Sequence, residues 1–266
     1  MSHDVTYIPV GALAECFAPQ GNILPMRPPL QTVLTLYFSS DEAIICQFNP
    51  DGTLRWGNQS AVAYRLTSLR EGIEFIDFID NSRSAATLTL VCDHHCGRFT
   101  LVCGQLPTAQ QAHLSALHRI KLGLPLTGVQ AAVRFGWFNG GSSTHARHTF
   151  SDELTGMRNQ YRYSPTECYE HIYLNADCYA WHCLQGGEQG LADVDRCQTV
   201  KIDDRLYLLI WQEKVVPTLG VVLIDLQAAR TDGKIFGYQQ DDFKRLSNFA
   251  MGAALKVINI TPHAAQ

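Results

Sequence analysis

The feature that most restricts this chain is its punctuation. From Val33 onward, short runs rich in β-branched and aromatic residues recur, each closed by turn formers such as Asn49-Pro50-Asp51-Gly52 or Asn139-Gly140-Gly141. Short strands at close spacing, with little helix between them, point to an all-β sandwich or barrel rather than a doubly wound sheet. The most apolar runs, from Leu206 to Trp211 and from Leu219 to Ile224, have strand length. A membrane helix needs roughly 20 apolar residues in succession, so no membrane partner is expected.

Composition narrows the class further. Of 266 residues, 46% are apolar and 17% charged, with a formal net charge of −4. A chain of this kind can bury a core and has no reason to stay disordered. With a pI near 6.2 it lacks the concentrated basic surface that phosphate backbones require, so no nucleic-acid partner is expected. The opening Met1-Ser2-His3-Asp4-Val5 has no basic head and apolar core of a signal peptide. Nine cysteines, an odd number in no small-scaffold framework, then read as reduced thiols in a cytoplasmic protein.

Two segments depart from the strand pattern. In residues 108–121, Thr108 and Gln111 form a capping-box pattern, and Leu114, Leu117 and Ile120 recur at helical spacing. In residues 241–257, Phe243, Leu246, Ala250, Ala253 and Val257 form a stripe, with Asp241 and Asp242 at its start and Lys256 near its end. Both predict short amphipathic helices, and they lie about 134 residues apart.

A tandem duplication fits that offset. Tyr37-Phe38-Ser39-Ser40-Asp41 aligns with Tyr173-Leu174-Asn175-Ala176-Asp177, and Asp77-Phe78-Ile79-Asp80-Asn81 with Ile210-Trp211-Gln212-Glu213-Lys214. Gly97-Arg98-Phe99 aligns with Gly233-Lys234-Ile235 in the same order. The expected organisation is a proline-rich irregular extension over residues 1–29, a first domain over 30–125 and a second over 126–266. The boundary falls within 122–129.

Alternation along strands sorts the second half into faces. Tyr169, His171 and Tyr173 share one face, and Arg205, Tyr207, Leu209, Trp211 and Glu213 share another, opposite the aliphatic Leu206, Leu208 and Ile210. A face mixing rings, imidazole and carboxylate suits the lumen of a small ligand-binding barrel, and equally suits half-buried rings with their polar tips in water. The string Cys92-Asp93-His94-His95-Cys96 is the most metal-like, with Cys103 behind it. Zinc sites usually take spaced pairs from two elements. No second matching pair stands nearby, so a tight turn before Gly97 and no metal are expected. His145 and His148 lie three apart in a segment that reads as a surface strand. Neither Gly140-Gly141-Ser142-Ser143 nor Gly186-Gly187 has the spacing of a nucleotide-binding loop, and no Gly-x-Ser-x-Gly elbow is present.

The strings Tyr169-Glu170-His171-Ile172-Tyr173-Leu174-Asn175, Tyr179-Ala180-Trp181-His182-Cys183, Trp211-Gln212-Glu213-Lys214 and Arg230-Thr231-Asp232-Gly233-Lys234-Ile235-Phe236-Gly237-Tyr238 resemble the MoaF family, over nearly the whole chain. The family is associated by name with molybdenum cofactor biosynthesis. The resemblance implies two lipocalin/calycin-like antiparallel β-barrels, each followed by a short α-helix. It also implies a distant similarity to phenolic acid decarboxylases, which use barrel-lining tyrosines, an arginine and a glutamate. On that pattern Tyr173 matches one tyrosine, His171 stands where its partner would be, Glu213 matches the glutamate, and Arg196 is the nearest arginine by order. In the first half, Tyr37 and Asp80 stand at the tyrosine and glutamate positions.

These residues define the expected site. Glu213, flanked by Trp211, is the candidate general acid or base, and Tyr173 and His171 would orient a phenolic or carboxylate group. Tyr169, Trp181, Tyr207 and Trp211 would wall the cavity, and Arg205 or Arg230 would bind an anion. Such proton transfer needs no cofactor. The leading expectation is an accessory protein that binds a small aromatic or pterin-like molecule in the C-terminal barrel. The alternatives are a cofactor-independent lyase or isomerase, and a scaffold with filled barrels. A homo-oligomer is compatible with the sequence.

Overall fold

The computed structural model describes residues 7–17, 21–39, 42–138 and 148–262. Contacts divide the chain into two compact units, one formed by Leu24–Gln105 with Ala131–Thr149 and the other by the N-terminal residues to Ile23, Leu106–Gln130 and the chain from Phe150 on.

The first unit is a closed antiparallel barrel of eight strands: β1 (Val33–Phe38), β2 (Ala43–Phe48), β3 (Thr53–Trp56), β4 (Val62–Arg70), β5 (Ile73–Ile79), β6 (Ala86–Asp93), β7 (Arg98–Gln105) and β8 (Gln130–Phe138). Strand β8 lies beyond the expected boundary near residue 125, yet it closes this barrel against β1, with Leu36 opposite Phe138. Closure leaves no unpaired edge, the reason a strand is recruited from beyond the intervening helices. Alternate residues point inward, so Leu36, Phe38, Phe48, Trp56, Phe78, Leu88, Leu90, Phe99 and Phe138 fill the interior. At Gly136 an added Cβ would sit 2.1 Å from the Tyr37 carbonyl oxygen and 2.5 Å from the Phe99 ring, so only glycine allows that closing approach.

The second unit is built from β9 (Thr149–Phe150), β10 (Met157–Arg162), β11 (Cys168–Tyr173), β12 (Cys178–Gln185), β13 (Ala192–Asp203), β14 (Leu206–Gln212), β15 (Thr218–Asp225), β16 (Arg230–Tyr238), β17 (Leu246–Met251) and β18 (Ala254–Ile260). Its ring runs β12-β11-β10-β18-β16-β15-β14-β13 and closes through β12–β13 pairing. Both β14 and β15 are buried on both faces, which is why their sequences read as unbroken apolar runs.

The helix expected over 241–257 is instead β17 and β18. β17 pairs along β16 and β18 along β10, with Gly252 and Ala253 at the break between them. Closing the ring gives the backbone a full ladder on either side, which outweighs a helical stripe interrupted by Ser247, Asn248 and Gly252. A Cβ on Gly252 would lie 2.4 Å from the Asn22 carbonyl oxygen.

The helix expected over 108–121 is two short ones, α2 (Ala109–Ala112) and α3 (Ala116–Lys121), and the Thr108–Gln111 capping box is present. The apolar stripe does not face inward: Leu117 and Ile120 are 63% and 62% exposed, while Arg119 is buried and donates to the Pro125 carbonyl. The N-terminal extension is not wholly irregular either. Helix α1 (Val10–Phe17) lies within it, opened by Pro9, whose carbonyl accepts from Ala12 and Leu13. Val10, Leu13 and Phe17 fall on one side of that helix and pack into the core of the second unit. Among the described residues, no helix is long and apolar enough to cross a membrane.

Candidate functional site

The alternation along β11 and β12 decides what faces the second barrel's interior. Tyr169, His171 and Tyr173 project inward from β11, and Tyr179, Trp181 and Cys183 from β12, paired across the ladder as Tyr169–Cys183, His171–Trp181 and Tyr173–Tyr179. All of these are buried. Trp211 joins them from β14, and α1 contributes Val10, Leu13 and Phe17. Phe17 stacks on Tyr163 at 4.5 Å and meets Tyr169 edge-on at 5.9 Å.

These side chains enclose a cavity lined by aromatic rings together with His171, Glu188, Glu213 and Thr218. The space between them, mouth included, is about 500 Å³, but only about 40 Å³ of it can hold the centre of a water molecule. With α1 seated, the cavity is therefore a narrow slot with room for a few waters.

Burial shifts its acids and its imidazole toward their neutral forms. Glu213 follows β14, half-buried as a residue, and its Oε1 accepts from Trp211 Nε1 at 2.9 Å. Burial, and then the nearby Asp195, raise its carboxyl pKa well above the ordinary range, so the acid keeps its proton. Glu188 is buried and likewise pushed up by desolvation; its oxygens accept from the Ile8 backbone N–H at 3.3 Å and the Tyr169 hydroxyl at 3.1 Å. Asp195 is held by Trp181 Nε1 at 2.8 Å and by Lys214, yet burial raises it too. His171 is packed between Tyr161 and Tyr179 at ring distances of 4.5 and 5.0 Å. Burial drives its pKa down to about 3, so the imidazole is neutral. Its Nδ1 is buried without a hydrogen-bond partner.

The residues expected from sequence divide into two groups. Tyr169, His171, Trp181, Trp211 and Glu213 come together around the cavity. Tyr173 sits beside them in the core, its hydroxyl spent on Tyr161 at 2.7 Å. Tyr207 turns toward Glu153, to which its hydroxyl donates at 2.6 Å. Arg205 lies exposed in the β13–β14 turn at φ 53°, near the Leu226 carbonyl, and Arg230 is exposed at the start of β16 near the Asn22 carbonyl. Arg196 is exposed on β13. None of these arginines reaches the cavity, because each falls on an outward position or in a turn, and among the described lining residues none is lysine or arginine. In the first barrel, Tyr37 is 42% exposed and stacks on Trp137, and Asp80 accepts from the Ser82 N–H and hydroxyl in a turn. Neither forms a site.

Sequence reasoning missed Glu188, Asp195, Tyr163 and the α1 residues. Tyr163, one residue past β10, and Asp195 on β13 continue the inward alternation of those strands, a signal that was available. Glu188 lies in a turn and α1 in a segment remote in sequence, and neither carried a local mark.

The fold and the site define a protein of two antiparallel barrels, one of which holds an aromatic-walled, acid-bearing cavity. Family models agree: the MoaF N-terminal domain matches residues 5–108 and the MoaF C-terminal domain residues 148–261. A curated relative from Klebsiella aerogenes, Protein MoaF, is 47% identical over 264 residues, covering 99% of each chain. This chain belongs to the MoaF family. Among solved structures, one described as a "putative beta-lactamase from Burkholderia vietnamiensis" matches 41% of this chain and 100% of its own at 13% identity, with a TM-score of 0.35. That likeness is too slight to bear on function.

Proposed function

We propose that the second barrel binds a small, flat, nitrogen-bearing aromatic molecule, of the pterin-like or aryl-amine kind, with the α1 side chains Val10, Leu13 and Phe17 giving way to widen the slot. The observation that carries this reading is the pairing of a proton-holding Glu213 with an unpartnered His171 Nδ1 inside an aromatic wall. Buried polar atoms usually find partners, and an unpartnered one on a residue that lines a cavity is a candidate position for a ligand group. Rings stack on rings, and a carboxyl group takes N–H donors or, by releasing its proton, the charge of an amine. A phenolic acid is disfavoured, because its carboxylate would lose its hydration in a cavity where, among the described lining residues, no cation stands to replace it. The family's association by name with molybdenum cofactor biosynthesis is consistent with an accessory role and a pterin-like ligand.

Native mass spectrometry and calorimetry with pterins, aryl amines and phenolic acids test the reading. One equivalent of an amine or pterin should bind, at least tenfold more weakly to Glu213→Gln and His171→Phe. Binding of phenolic acids alone, or binding indifferent to both variants, refutes it. A second reading, acid catalysis in a lyase or isomerase, is favoured by one observation: a carboxyl whose pKa is raised by its surroundings is what a general acid requires. It predicts turnover that Glu213→Gln lowers by orders of magnitude with the fold intact.

A further inference from the structure

The first barrel carries a second cluster that the ligand site does not use. The β6–β7 turn displays Asp93, His94, His95 and Cys96, and the strand alternation sorts them. Cys92 points into the barrel core. His94 pairs with Glu74 at 2.8 Å, and His95 Nε2 contacts the Glu71 carbonyl at 2.9 Å. Only Asp93 and Cys96 remain facing each other, with Cys96 Sγ 2.9 Å from Asp93 Oδ2. The second element that the sequence lacked nearby is His148. Its Nε2 lies 3.8 Å from the same Oδ2, and the three ligand atoms fall within 4.8 Å of one another.

We infer that Asp93 Oδ2, Cys96 Sγ and His148 Nε2 form a site for a zinc-class divalent metal ion. His148 is only 4% exposed, and its Nε2 is buried with no hydrogen-bond partner. Its other nitrogen, Nδ1, is 2.8 Å from Thr100 Oγ1, which is itself fully buried. With Nδ1–H donating to Thr100, Nε2 presents its lone pair to the cluster, the arrangement that orients histidine ligands. Asp93 Oδ1 accepts from the His95 N–H at 2.9 Å, which fixes the carboxylate and leaves Oδ2 for the ion.

Geometry and charge agree. Bonds of about 2.0–2.3 Å in a tetrahedron space the ligand atoms about 3.3–3.7 Å apart, so the observed separations need shifts of roughly an ångström or less. The metal–sulfur bond forms as the thiol proton leaves to solvent. The thiolate and carboxylate then carry two negative charges against the divalent ion, with the buried guanidinium of Arg98, opposite Asp93 on β7, alongside. Three protein ligands leave a fourth position for water or an anion. The half-buried Cys96 is the way in.

The test is titration of the full-length, chelator-stripped protein with Co²⁺, then displacement by Zn²⁺. One equivalent should bind with a thiolate-to-cobalt charge-transfer band. That band should vanish in Cys96→Ser, and affinity should fall at least tenfold in His148→Ala and Asp93→Asn. Thr100→Val should keep the band and weaken binding by about tenfold, as loss of an orienting partner does. Independently of any variant, Zn²⁺ should slow alkylation of Cys96 at least tenfold in the wild type, read by peptide mass spectrometry. Absence of stoichiometric binding by the wild type, a band that survives Cys96→Ser, His148→Ala binding like wild type, or unprotected Cys96 overturns the inference.

Discussion

Glu213→Gln offers a test of the site's electrostatics that does not depend on knowing the ligand. Glutamine is the uncharged isostere of the protonated acid, and its amide oxygen can still accept from Trp211 Nε1 as Glu213 Oε1 does. In the unfolded chain Glu213 ionises at its ordinary value of 4.5, whereas burial and Asp195 keep it protonated in the fold. Above pH 4.5 the folded form therefore binds more protons at this position than the unfolded form, and stability must fall as pH rises. The slope of a single such group is about 1.4 kcal/mol per pH unit until the folded pKa is reached. The substitution removes this dependence, while contributions from His171 and every other group are common to both proteins and cancel in the difference. From pH 5.5 to 6.5, the variant should gain stability relative to wild type, up to about 1.4 kcal/mol, the full slope of one group. Urea unfolding of both proteins at the two pH values measures it. Infrared difference spectra should show a protonated-carboxyl stretch that the variant lacks. A stability difference independent of pH, or no such stretch, would mean that Glu213 is ionised in the fold, and the account of the cavity fails with it.

Two further outcomes follow from packing. Gly220→Ala places a Cβ 2.0 Å from Trp211 Cζ2, so the indole must leave its seat; a loss of about 1–3 kcal/mol in unfolding and a shifted tryptophan emission are expected. Phe17→Ala removes the ring that stacks on Tyr163 and closes the cavity, so a hydrophobic fluorescent dye should bind the variant and not the wild type, with a stability loss of about 3–5 kcal/mol.

Much of the second barrel was legible because strand alternation is a local rule. Tyr169, His171 and Tyr173 had to share a face once β11 formed, and so did Tyr207, Leu209 and Trp211 on β14. The same rule does not say where along a strand the lumen narrows to a cavity. Thus Tyr207, on the right face, ends at Glu153 rather than at the cavity, and Arg205 lies in a turn. Periodicity also misread residues 241–257, because ring closure supplies strand partners that no local window contains.

By itself the sequence determined the class: short strands between turns, the Thr108 cap, the tight turn at Gly97, and the aromatic residues that share a strand face with a histidine. Those depend on neighbours within a few residues. The tertiary structure alone decided which strands close each ring, that α1 rather than a loop covers the cavity, and that His148 meets Asp93 and Cys96. Each of these is a contact between distant segments, chosen by satisfying backbone edges and burying apolar surface across the whole chain, terms that no local pattern contains.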